Sequence, residues 1–194
     1  MKTLFVATIL GLAAIQAQAT IIQFDLQGLA GFGLRSGNET TAVSTTPNPV
    51  GSGGEINLGI SYDDVSNLLT LNTGWGTANG FFNLSGNASA GHLHGPTTGS
   101  GVAAFNQTAS VKYGLDTLTG WSASASSGGF NGTVTILEAD EPALLAGRFY
   151  MNVHTSQNGG GEIRGNLVQS VPEPGTVCLL GVGTLALAVR RRRG

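Results

Sequence analysis

Cysteine is almost missing from this chain. Its 194 residues include one, Cys178, so no internal disulfide framework can form and stability must come from packing and hydrogen bonds. Charged residues are sparse, at 10%, and aromatics stand at 7%. The net charge of -2 hides an uneven spread, because Lys2 and Arg190 to Arg193 supply five of the nine cations. Between Thr20 and Ser170 only Arg35, Lys112, Arg148 and Arg164 oppose ten acids, a net charge of -6. Nucleic acid needs a basic footprint, so that class of partner is excluded. The chain also lacks a Gly-x-Ser-x-Gly elbow, a phosphate loop, a dinucleotide fingerprint and EF-hand spacing, and no solenoid or propeller period repeats along it. What is abundant is glycine, 31 residues of it, among many Ser, Thr and Asn.

The ends read as addresses. Lys2, the apolar run Leu4 to Ile15 and the small-x-small pattern Ala17-Gln18-Ala19 match a signal peptide over residues 1–19, with the mature chain starting near Thr20. At the other end, Pro172-Glu173-Pro174 precedes an apolar stretch from Thr176 to Val189 and the cations Arg190, Arg191, Arg192 and Arg193. Such a stretch is short for a spanning helix, but terminal arginines stop it at a cytoplasmic face and place the body outside.

This three-part tail resembles the PEP-CTERM sorting signal. The resemblance implies a transmembrane helix over 176–189 that anchors the chain transiently and is removed near the motif by exosortase in a Gram-negative bacterium that makes exopolysaccharide. Residues 171–194 are then a sorting segment. Cys178 lies within it, so the mature domain carries no cysteine.

About 150 residues remain between the ends, enough for one domain with a full core. Short alternating runs at 21–26, 55–62, 68–72, 88–94, 132–137, 148–154 and 162–168 predict an all-β antiparallel sandwich or barrel of about seven to nine strands. Asp63-Asp64 belongs to a solvated turn; adjacent acids on a strand point apart and make a poor calcium site. Residues 138–147 predict one short helix, with Asp140 as cap, Pro142 in the first turn and Gly147 at the exit. The Gly-, Ser- and Pro-rich stretch Ser36 to Gly54 reads as a mobile surface loop without chemistry. Trp75, Trp121, Tyr62 and Tyr113 form no spaced platform for stacking on sugars and read as core.

All three histidines fall in two motifs, Gly91-His92-Leu93-His94-Gly95-Pro96 and Tyr150-Met151-Asn152-Val153-His154-Thr155, the second running on to Gly160-Gly161-Glu162-Ile163-Arg164-Gly165. On a strand, His92 and His94 leave the same face roughly 7 Å apart. Alternation puts Phe149, Met151 and Val153 toward the core and Tyr150, Asn152 and His154 on the other face. In this order the motifs resemble the CHRD domain, named from chordin, over a core of 56–168 within a domain of 20–170. That resemblance implies an all-β extracellular domain without a settled activity.

Two functional classes compete. One is a binding or structural component of the exopolysaccharide matrix, with matrix polysaccharide or proteins as partners and no catalysis. The other is a metalloprotein with His92, His94 and His154 as ligands to Cu(II) or Zn(II), since imidazoles with an open position suit both ions. For it, Glu162 could supply an oxygen ligand or, with Arg164, belong to the surrounding shell, although an ion pair between these two is the simpler expectation and hydrogen bonds to loop backbone the alternative. A His-x-His strand, a later histidine, a Gly-rich loop and an arginine also resemble copper-zinc superoxide dismutase distantly. The chain departs from that enzyme in having no fourth histidine to bridge a second metal and no cysteine pair.

Overall fold

The computed structural model of the protein describes residues 20–40, 51–124 and 126–170. The expected signal peptide, the sorting segment 171–194 with its helix, and residues 41–50 of the expected loop lie outside the described residues. Among the described residues no helix is long and apolar enough to cross a membrane.

Among the described residues eleven strands form in chain order: β1 (Ile21–Gly28), β2 (Gly31–Phe32), β3 (Leu34–Arg35), β4 (Ser52–Asp63), β5 (Leu68–Trp75), β6 (Ala88–His94), β7 (Val111–Gly114), β8 (Trp121–Ser124), β9 (Ser127–Thr135), β10 (Tyr150–Thr155) and β11 (Ile163–Gln169). One short helix, α1 (Glu141–Leu145), interrupts them. Nine strands make a single hydrogen-bonded path, β7-β6-β10-β11-β1-β4-β5-β9-β8, with β2 and β3 attached at its middle. Every pairing is antiparallel.

The path folds over on itself as a sandwich. Trp121, on the terminal strand β8, packs 5.0 Å from Trp75 of β5 and lies so close over Gly91 of β6 that a Cβ there would fall against the indole ring. The core between the layers includes Leu69, Leu71, Phe130, Leu93, Met151 and Val153. Trp75 and Tyr62 are fully buried, while Trp121 and Tyr113 pack against the core from its edge. The β4–β5 turn is an Asx turn: Asp63 Oδ1 accepts from the Val65 and Ser66 amides at 2.9 and 3.2 Å, which satisfies the turn without a cation.

Two expectations need correction. Asp140 does not cap α1 through its side chain; its carboxylate accepts the Tyr113 hydroxyl at 2.6 Å and pairs with Lys112 at 3.0 Å. A cation and a phenol are stronger partners than helix amides, and they tie the helix to β7. Pro142 and Gly147 do take their expected places, Gly147 with φ of +68° at the exit. The stretch from Ser36 is not free of contacts either. Asn38 is buried, accepting from the Ala30 amide at 2.7 Å and donating to the Arg164 carbonyl at 3.1 Å.

The residues that follow Asn38 bear on another departure. Phe149, Met151 and Val153 face the core as alternation requires, yet Tyr150 and Asn152 on the opposite face are buried too. Glu39, Thr40 and Ala104 cover them: Asn152 Nδ2 donates to the Glu39 carboxylate, and Arg164 reaches Thr40 Oγ1 at 3.2 Å and the Ala104 carbonyl at 3.1 Å. The domain therefore has a second, polar interior beside its apolar one.

Candidate metal centre

The β6–β10 pairing brings the two histidine motifs together. Asn152 lies opposite His92 and Tyr150 opposite His94, with His154 opposite Ala90 just before a bulge. Alternation then places all three imidazoles on one face. Ring centroids lie 5.6 Å apart for His92 and His94, 4.8 Å for His92 and His154, and 5.9 Å for His94 and His154. One nitrogen from each ring falls within 4.8 Å of the others. Two nitrogens bound to one Zn(II) at about 2.0–2.1 Å are at most roughly 4.2 Å apart, so small ring rotations would bring the set to coordination distance.

The hydrogen bonds around the rings fix which nitrogens face one another. His94 Nδ1 lies 2.9 Å from the Ala109 carbonyl and His154 Nδ1 lies 2.9 Å from the Gly159 carbonyl. A carbonyl only accepts, so both Nδ1 atoms carry a proton, and His94, which burial holds neutral, has a bare Nε2. His94 Nε2 is buried with no partner. His154 Nε2 lies 2.9 Å from His92 Nδ1. Where His154 Nε2 accepts across this contact, His92 carries its proton on Nδ1 and its bare Nε2 points toward the Asp116 carboxylate 3.7 Å away. A cation in place of that proton would let His92 carry Nε2–H toward Asp116. Each ring would then have its outer nitrogen held by an acceptor, as imidazole ligands of metals usually do.

The electrostatics keep His92 and His94 in the ligand form. Burial holds His92 below the ordinary imidazole range, helped by the neighbouring His154 and opposed by Asp116. Burial pushes His94 down to about 4; His154, His92 and the Arg164 cation add to this, while the bond to Ala109 opposes it. Neutral imidazole is the form that binds metal.

Local structure supplies these outer partners. The Leu115 and Asp116 amides both donate to the Gly91 carbonyl, at 2.8 and 3.3 Å, which hooks the exit of β7 over β6 and delivers Asp116 to His92. Glu162 holds the loop that presents Gly159: its carboxylate accepts from the Ser85 amide and hydroxyl, both at 2.6 Å, from Thr155 Oγ1 at 2.8 Å and from Asn158 Nδ2 at 3.0 Å. The expected ion pair between Glu162 and Arg164 is absent among the described residues. Glu162 stands at the loop end before β11, where three donor side chains take it up, while Arg164 turns to Tyr150, its guanidinium carbon 3.5 Å from the ring centroid. Sequence reasoning found the three histidines and missed Asp116, Ala109 and Tyr150. Only the Tyr-x-Asn-x-His alternation pointed to one of them.

Fold and site together define an all-β domain with a three-histidine cluster on one sheet face. The CHRD domain family matches residues 31–167, and the PEP-CTERM protein-sorting motif matches residues 170–193. The chain belongs to the CHRD domain family. The match begins earlier than the core read from the motifs and takes in β2, β3 and the buried Asn38. No curated protein and no solved structure matches the chain. The sorting motif makes it an exosortase-processed protein, exported, anchored in the membrane as an intermediate and destined for the cell surface.

Proposed function

We propose that this surface protein holds one Cu(II) or Zn(II) ion through His92 Nδ1, His94 Nε2 and His154 Nε2, within a domain spanning residues 20–170. The observation that carries this reading is the buried, unpartnered His94 Nε2, turned toward two imidazoles whose outer nitrogens meet Asp116 and the Gly159 carbonyl. A buried acceptor without a donor costs about 1–3 kcal/mol, and a cation removes that cost. Three neutral imidazoles leave a coordination position open to water or a small ligand. With copper, the open position would permit redox chemistry of the superoxide-dismutase kind. Signal peptide 1–19 and sorting segment 171–194 serve only to deliver the domain.

A place in the exopolysaccharide matrix draws its support from the sorting motif alone and is compatible with a metal centre. Titration of the secreted protein with Cu(II) and Zn(II) tests the proposal. Wild type is expected to bind one equivalent of at least one ion, and the His92→Ala/His94→Ala protein none. Undiminished stoichiometric binding by the double variant would dismiss the site.

A further inference from the structure

The polar interior contains an arrangement that the three ligands do not use. On the consecutive strands β6, β10 and β11, His94, Tyr150 and Arg164 stack in a row. The His94 and Tyr150 rings are parallel within 5°, with centroids 4.8 Å apart, and the Arg164 guanidinium lies over Tyr150. Tyr150 is fixed by the peptide unit that fixes His94. Its hydroxyl accepts from the Ala109 amide at 3.2 Å and donates to the Ala109 carbonyl at 3.3 Å, the oxygen that also takes His94 Nδ1–H. Arg164 is fully buried, its Nε has no partner, and Glu39 is the acid that favours its charge.

We infer that Tyr150 and Arg164 are positioning residues acting through His94, and that the fixed guanidinium charge biases the centre toward monovalent over divalent copper. The inference rests on the three-histidine reading. A buried cation repels a divalent ion more than a monovalent one at the same place, and this difference is large where water cannot screen it. Only the Tyr150 ring separates the guanidinium from the His94 imidazole. Three imidazoles serve Cu(I) as well as Cu(II), so ion charge becomes the discriminating quantity. Glu39, which accepts from Asn152 beside the row, offsets part of the arginine's charge.

The test measures Cu(I) and Cu(II) affinities separately, by competition with chromophoric chelators, on the secreted protein and three variants. Arg164→Met should lower the ratio of Cu(I) to Cu(II) affinity roughly tenfold, as expected for removing one unit charge near the site. Arg164→Lys, which keeps the charge, should restore most of the ratio. Glu39→Gln should move the ratio the opposite way, and it decides the matter if Arg164→Met does not fold. An unchanged ratio in Glu39→Gln, or parallel loss of both affinities in Arg164→Met with no recovery of the ratio in Arg164→Lys, would overturn the inference and leave Arg164 purely structural. Failure of the wild type to bind either copper ion would remove the metal centre itself, an outcome distinct from a ratio that does not move.

Discussion

Each of the chain's three tyrosines ends on a different internal partner. The Tyr62 hydroxyl donates to Asn67 Oδ1 at 2.7 Å, Tyr113 to Asp140 and Tyr150 to the Ala109 carbonyl. Burial pushes Tyr62 and Tyr113 up to about 12, reinforced by nearby carboxylates, and raises Tyr150 as well. The folded state therefore prefers the neutral phenol. An unfolded chain releases these protons near pH 10, so their contribution to stability is complete below that pH and declines as pH rises toward 12. A phenolate absorbance titration should show clearly less ionised tyrosine in the folded protein at pH 10 than the roughly half expected in denaturant. Early phenolate in the folded protein would contradict the buried placement. At this scale the sequence was informative where periodicity governs. His92 and His94 share a face, and Phe149, Met151 and Val153 are core, because a strand's period of two admits no other arrangement. Asp116 and the Ala109 carbonyl were not legible, since their link to the histidines is made across strands and leaves no local spacing. Arg164 was misread for a related reason: sharing a face with Glu162 said nothing of the nearer partners that other segments bring.

Among the elements, β6 carries both the site and the closure of the sandwich. His92 and His94 leave one of its faces while Gly91 receives Trp121 on the other. Gly91→Ala should push the indole off β6, open the Trp75–Trp121 pair and cost about 1–3 kcal/mol, the usual range for overpacking a filled interior. Loss of near-ultraviolet circular dichroism together with a lowered denaturation midpoint would be the expected pair of signals; a wild-type spectrum and midpoint would show that the ends of the path do not meet there. The strands found from sequence were those whose alternation runs five residues or more. Strands β7 and β8 have four residues each, and β2 and β3 have two, too few for a period to emerge, so their neighbours define them. β4 reads as one run but is broken by a wide bulge between Glu55 and Ile60, where Asn57 and Gly59 take φ of +53° and +69°.

At the scale of the molecule, address and chemistry are separate. The sorting motif directs the domain outward, and among the described residues the three-histidine cluster is built on β6, β10 and their neighbours. Pro172→Ala/Glu173→Ala should leave a heavier, membrane-associated form in cells with exosortase, seen by fractionation and immunoblot; equal release of variant and wild type would count against recognition of the motif. On the proposed reading the released domain should bind metal whichever way it is freed, because β6, β10 and the Asp116 and Gly159 contacts all lie within residues 88–159. The most direct test of the central claim is elemental analysis of the untagged protein taken from the medium of its own producing cells, beside the His154→Ala form. A metal centre predicts near-stoichiometric copper or zinc in the wild type and its loss in the variant. Metal-free wild type that also takes up neither ion on loading would contradict it and leave the three imidazoles as a structural cluster.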